Sequence, residues 1–286
     1  MDKLTSPTTI RALMERHGFG FSKKLGQNFL ISENVCKRIA LEGVPTPESG
    51  VIEIGAGIGS LTNELAKLAS KVVSYELDEK LIPILAETLD GYGNVTVLNE
   101  DFMKSDAHAV IVKELAGMPV YVCANLPYYV TTPIIMKILE ERLPVSAITV
   151  MIQKEAAHRL CAQCGTRECG AITAAIRYYT EPEILFDVSA GNFMPAPSVD
   201  STVIRLNVRK ETPLSGEDEK SFFAMIKAAF AQRRKTLSNS LSSQLPLSSS
   251  QYADIIEKTG LKRNARAEEL TFEQLLELSR MISESV

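Results

Sequence analysis

Asn125-Leu126-Pro127-Tyr128 follows the apolar run Val120-Tyr121-Val122-Cys123-Ala124 and combines an amide, a rigid turn and an aromatic face. Pro127 fixes the backbone there. The Asn125 amide oxygen and the Leu126 carbonyl oxygen can then point into one cleft, beside a flat Tyr128 ring. That set suits an amino group carried on an aromatic ring. An ordinary Asn-x-Pro turn with a surface tyrosine is the competing reading. A second constellation, Gly55-Ala56-Gly57-Ile58-Gly59, follows Val51-Ile52-Glu53-Ile54. Glycines lack the side chains that would keep a ligand away from the backbone. Their spacing is G-x-G-x-G, and Ser60 stands where a dinucleotide fingerprint has its third glycine. Glu76, after Val72-Val73-Ser74-Tyr75, suits the two hydroxyls of a ribose. NAD and S-adenosylmethionine both carry a ribose. The loop spacing favours S-adenosylmethionine, which has no pyrophosphate; another nucleotide or a plain tight turn stays open. Glu53, Glu76, Asp101 and Asn125 each close an apolar run. In a parallel sheet they share the carboxyl edge, where ligands of open α/β sheets bind.

The elements that must position these residues alternate. Short apolar runs at 51–54, 72–75, 95–98, 120–124 and 147–152 are separated by helix-spaced leucines such as Leu61, Leu65 and Leu68, or Leu81, Leu85 and Leu89. A further helix is expected near Thr132-Pro133. This βαβα rhythm predicts an α/β fold, a parallel sheet with helices on both faces. Ahead of it, residues 1–45 read as a helix started by Ser6-Pro7 and ending near Arg16, a basic and apolar loop from Phe19 to Ile31, and a helix capped by Ser32. The stretch between residues 99 and 119 is mixed. Ile184–Val188 and Thr202–Val208 read as an antiparallel pair at one sheet edge. After Lys210 the pattern is helical, with Phe222, Phe223, Ile226 and Phe230 on one face, then Leu237–Leu241, Tyr252–Ile256 and Phe272–Met281. The expected division is 1–210 and 211–286.

With 286 residues, 45% hydrophobic and 23% charged, the chain can bury a sizeable core. A net charge of −4 excludes a uniformly basic nucleic-acid binder and leaves room for a basic face. Such faces are expected around Arg233, Arg234 and Lys235, and around Lys23 and Lys24. No apolar run reaches membrane-spanning length, and Met1–Pro7 lacks the pattern of a secretory signal. Five cysteines, an odd number, suit a reducing cytoplasm. His158, Cys161, Cys164 and Cys169 are spaced H-x2-C-x2-C-x4-C, in an order unusual for zinc. They read as loop thiols with zinc as the alternative, so no metal is expected. Cys36 and Cys123 read as core residues.

Taken together, Gly26-Gln27-Asn28-Phe29-Leu30, Glu53 to Thr62, Asn125 to Tyr128, Phe193 to Ser201 and Gln232-Arg233-Arg234-Lys235-Thr236-Leu237 carry a family resemblance. From about Gly18 to Glu269 the chain resembles the bacterial small-subunit ribosomal RNA adenine dimethyltransferases, the RsmA/KsgA family. The resemblance implies a Rossmann-like methyltransferase sheet with a small all-α C-terminal domain that binds RNA. It implies S-adenosylmethionine as methyl donor, with Asn28, Leu30, Gly55, Gly57, Glu76, Asp101 and Asn125 around it. Asn125 and Leu126 hold the target N6, and Tyr128 and Phe193 sandwich the target adenine. The implied target is two adjacent adenosines in the 3′-terminal hairpin loop of 16S rRNA, in the small (30S) subunit or its precursor. A cytoplasmic monomer is expected. The related macrolide-resistance enzymes of 23S rRNA, a non-catalytic ribosome-assembly factor and a nicotinamide oxidoreductase are the rivals. Glycine spacing disfavours the last.

Overall fold

A computed structural model describes residues 4–22 and 26–285. The chain divides into two compact units, Met1–Ala157 with Glu183–Val208, and His158–Pro182 with Arg209–Val286.

In the first unit, α1 (Pro7–Arg16) precedes a two-residue strand β1 (Phe29–Leu30) and α2 (Glu33–Gly43). Alternating elements follow: β2 (Gly50–Ile54), α3 (Ser60–Leu68), β3 (Lys71–Tyr75), α4 (Ile82–Thr88), β4 (Val95–Leu98), α5 (Ala107–Glu114), β5 (Val120–Asn125), α6 (Thr131–Glu140) and β6 (Ala147–Gln153). The chain crosses to the second unit within α7 (Lys154–Cys161), forms α8 (Ala171–Tyr179), and returns along β7 (Thr180–Val188), β8 (Phe193–Met194) and β9 (Ser201–Val208). Seven strands form one sheet in the order β4-β3-β2-β5-β6-β9-β7. The pairs β2–β3, β3–β4, β2–β5 and β5–β6 are parallel, and β9 runs antiparallel to β6.

Strand side chains alternate between faces. Val51 and Ile52, Val72 and Val73, and Val122 and Cys123 are all buried, so both faces are covered. This is a Rossmann-like fold. Strand order reverses between β2 and β5, which leaves a crevice outside their carboxyl ends.

Three features of the first unit differ from the sequence reading. The Phe19–Ile31 stretch is not all loop: β1 pairs with β8, Leu30 opposite Phe193. The mixed stretch after β4 holds α5, capped by the Asp106 carboxylate accepting from Ala109 N–H at 3.0 Å. Its apolar signal is weak because only Ala107 and Ile111 are buried. Ser6 and Ser32 stand at helix N-caps, but neither hydroxyl makes a capping bond.

The second unit holds α8, α9 (Gly216–Phe230), α10 (Leu237–Ser242), α11 (Ser249–Lys258) and α12 (Phe272–Ser283). Its limits differ from the expected 211–286, because residues 158–182 belong to it. The reason is an aromatic cluster. Tyr178 stacks on Phe222 at 5.1 Å, Tyr179 on Phe223 at 5.5 Å, and Tyr178 Oη donates to the Leu214 carbonyl at 2.7 Å. α11 and α12 begin with reciprocal caps, Ser248 with Gln251 and Thr271 with Gln274. Among the described residues, no helix is long and apolar enough to cross a membrane.

Candidate active site

Where β2 ends, the backbone enters the left-handed region three times, at Gly55 (φ 82°), Gly57 (φ 62°) and Gly59 (φ 86°). Residues with a Cβ seldom adopt that conformation, which is the local reason for the glycine spacing. A Cβ on Gly55 would meet only the Asn125 carbonyl oxygen, 3.9 Å away, so the crevice beside it is open. At Gly57 the same atom would touch the Phe29 ring at 3.4 Å.

Glu76 is fixed by this loop. Its Oε2 accepts from Gly57 N–H at 2.7 Å and its Oε1 from Asp78 N–H at 2.8 Å. The residue is buried, at 7% exposure. Burial raises its carboxyl above the ordinary range, and the backbone N–H groups of Asp78, Gly57 and Leu77 oppose that rise. Each oxygen keeps a lone pair for a further donor. Gln27, to which the sequence reading gave no role, ties the loop before β1 to the same place. Its amide nitrogen donates to Asp78 Oδ2 at 2.8 Å, and its oxygen accepts from Ser22 N–H at 2.8 Å.

Asn125 ends β5. Its amide nitrogen donates to the Asn28 carbonyl oxygen at 3.3 Å, which sets the plane of the amide. The Asn28 amide in turn donates to the Gly26 carbonyl at 3.1 Å. Buried Leu126 donates its N–H to the Met151 carbonyl at 3.3 Å. The turn after it closes with Val130 N–H on the Pro127 carbonyl at 3.1 Å. Tyr128 is half-buried, and its hydroxyl lies 3.1 Å from Ser201 Oγ at the start of β9. Ser201 is another residue the sequence reading left without a role. Phe193 is held by the β1–β8 pair and is 4% exposed. Asp101 follows β4; its Oδ1 accepts from Met103 N–H at 3.0 Å, and Lys104 Nζ lies 3.8 Å from its Oδ2.

One cleft of the first unit is lined by Asn28, Leu30, Gly55, Gly57, Glu76, Asp101, Asn125, Leu126, Tyr128 and Phe193. All the catalytic and cofactor positions expected from the sequence thus meet there. Glu53 does not line it. It is buried behind the glycine loop, where it accepts from Thr62 Oγ1 at 2.6 Å and from Ser74 Oγ. Burial pushes its carboxyl up to about 7.

This donor set fits S-adenosylmethionine: a fixed carboxylate for a ribose, open space beside Gly55, and an acidic side chain at Asp101 for an amino group. Among the described residues, no three His, Cys, Asp or Glu side chains gather to hold a metal ion. In the second unit, Arg233, Arg234 and Lys235 are exposed on the turn between α9 and α10. Lys23 and Lys24 lie outside the described residues.

Known proteins resemble this chain. A small subunit ribosomal RNA methyltransferase A of Geobacillus sp. (strain WCH70) is 46% identical over 283 residues, 98% of this chain and 97% of that protein. Its counterpart in Bacillus cereus (strain AH187) is 47% identical over 286 residues, 99% of this chain and 98% of that protein. Among solved structures, the 23S rRNA methyltransferase ErmE matches with a TM-score of 0.72 at 28% identity, covering 90% of this chain and all of that one. Residues 18–284 match the profile of the ribosomal RNA adenine dimethylases, and the chain belongs to that family.

Proposed function

We propose that this chain transfers methyl groups from S-adenosylmethionine to N6 of two adjacent adenosines in the 3′-terminal hairpin loop of 16S rRNA, giving N6,N6-dimethyladenosine. The observation that carries the reading is the Asn125 amide, oriented by the Asn28 carbonyl in the cleft that holds the Glu76 carboxylate. The two relatives at 46–47% identity over nearly the whole chain are small-subunit enzymes, whereas the large-subunit enzyme stands at 28%. That difference supports the 16S target over the 23S one.

S-adenosylmethionine, when bound, supplies an electrophilic sulfonium methyl. Glu76 accepts hydrogen bonds from its ribose hydroxyls, using the lone pairs that Gly57 and Asp78 leave. Asp101 accepts from the amino group of its adenine. Asn28, Leu30, Gly55 and Gly57 shape the wall beside it.

The target N6 is a poor nucleophile because its lone pair is delocalised into the ring. Asn125 Oδ1 and the Leu126 carbonyl oxygen accept from the two N6–H groups and draw the nitrogen toward tetrahedral geometry. The lone pair is then localised and aimed. No strong base takes part, and positioning and electrostatics carry the step. Tyr128 and Phe193 sandwich the adenine. Stacking of about 1–3 kcal/mol per contact offsets the loss of stacking when the base leaves its neighbours.

RNA is held by charge. Arg233, Arg234 and Lys235 of the second unit contact phosphates, and Lys23 and Lys24 are assigned the same task. The protein works as a cytoplasmic monomer on the 30S subunit or its precursor. Labelled S-adenosylmethionine with purified unmethylated small subunits, followed by nuclease digestion, tests the reading. Dimethyladenosine at two neighbouring sites is expected. In a parallel incubation with purified large subunits, label there and none on the small subunits would favour the 23S reaction instead.

A further inference from the structure

Three thiols of the second unit, Cys161, Cys164 and Cys169, have no part in the mechanism above. Two of them face each other: Cys169 Sγ lies 3.0 Å from Cys164 Sγ and donates its proton to it. Cys164 is half-buried and Cys169 is buried. A disulfide needs its sulfurs about 2 Å apart, so closure asks for a movement of roughly 1 Å. Burial pushes the thiol of the third, Cys161, up to about 12. Cys164 is shifted the other way, chiefly by the hydrogen bond from Cys169 and then by the Arg177 guanidinium. Of the two thiols, Cys164 is the better nucleophile.

The four residues between them matter for the second observation. Gly165, Thr166, Arg167 and Glu168 line one concavity together with Arg233 and Arg234. Arg233 Nη2 donates to the Arg167 carbonyl oxygen at 2.6 Å. Cys169 N–H donates to the Thr166 carbonyl at 3.0 Å, and Gly165 holds a left-handed φ of 87°. The loop that the two thiols would close therefore seats a cation assigned to RNA.

We propose that Cys164 and Cys169 form an oxidisable dithiol, converted to a disulfide by a hydroperoxide, and that the disulfide form binds small-subunit RNA more weakly. The affinity part rests on the reading of Arg233 as an RNA contact. In the first step the Cys164 sulfur attacks the hydroperoxide, the O–O bond breaks, and Cys164 becomes a sulfenic acid as water or an alcohol leaves. Cys169 sulfur then attacks Cys164 sulfur, the S–O bond breaks, and a second water departs with the Cys169 proton. The two sulfurs lose two electrons, which reduce one peroxide. A dithiol reductant reverses the change. Closing the loop displaces the Arg167 carbonyl and unseats Arg233.

The test uses the full chain, hydrogen peroxide and unmethylated small subunits. Mass spectrometry is expected to show loss of two hydrogens and a Cys164–Cys169 linked peptide, formed equally in Cys161→Ser and absent in Cys164→Ser. The linked protein is expected to bind subunits about fivefold more weakly, the value of one phosphate contact near physiological salt. Dithiothreitol should restore binding, and peroxide should leave Cys164→Ser binding unchanged. Reduced Arg233→Ala is measured alongside. If it binds as tightly as the reduced parent, the RNA assignment fails and the affinity effect with it. If it weakens binding while the linked parent does not, or if no Cys164–Cys169 linkage forms, the inference alone is overturned.

Discussion

In the first unit charge is buried and answered. Both Glu76 oxygens accept a backbone N–H, and Glu53 accepts two hydroxyls behind the glycine loop. In the second unit Arg233, Arg234 and Lys235 stand exposed on a turn, and Arg233 holds one carbonyl. A reacting nitrogen must be placed within a fraction of an ångström, so its partners are fixed by other bonds. A phosphate chain is held by summed charge, which tolerates looser placement. The two regions should therefore fail differently when altered.

The largest effect is expected at Asn125. Asn125→Ala removes the acceptor proposed for N6, and turnover should fall by about 10²–10³. Cofactor affinity, read by calorimetry, should change far less. Equal losses of turnover and cofactor affinity would place Asn125 with the cofactor and erase its role toward N6.

Burial in the first unit predicts a pH signature. The folded Glu53 carboxyl sits at about 7 against an ordinary value of 4.5. Between those values the folded chain binds a proton that the unfolded chain has released. Stability from this group is thus complete below pH 4.5 and is lost as pH rises through 7. The total is about 3 kcal/mol at most. Glu53→Gln cannot ionise, so its melting temperature should fall less than the parent's between pH 5 and pH 8. Parallel melting curves in the two proteins would remove Glu53 from the account.

Charge in the second unit should respond to salt instead. Reversing Arg233, Arg234 and Lys235 to Glu should flatten the slope of log affinity against log salt by about 2–3. Cofactor affinity should stay unchanged. An unaltered slope would mean that these cations face solvent even in the complex.

The two regions also differed in how much could be read from sequence. Five parallel strands were legible because their apolar runs are continuous and glycines or polar residues punctuate them. Glu76 and Asn125 were legible because a parallel sheet gathers strand ends at one edge. The β1–β8 pair was not, since two residues carry no periodicity and Leu30 meets Phe193 across most of the first unit's sequence. Nor was the place of α8, which is settled by Tyr178 and Tyr179 packing on Phe222 and Phe223. Ser201 lies at the end of the Phe193–Ser201 motif, yet its contact with Tyr128 depends on the antiparallel β9, which only the fold reveals.

That contact gives the smallest and most discriminating prediction. Tyr128→Phe keeps the ring and removes the hydroxyl that lies 3.1 Å from Ser201 Oγ. Ser201 is 1% exposed, so its hydroxyl loses a partner that water cannot easily replace. Stability should fall by about 1 kcal/mol, with turnover reduced no more than about threefold. Tyr128→Ala also removes the face proposed to stack on the adenine, and should raise KM for RNA by about tenfold or more. The pair separates anchoring from stacking. If Tyr128→Phe lowers turnover as far as Tyr128→Ala does, the hydroxyl rather than the ring is what the reaction uses, and the sandwich with Phe193 loses its support.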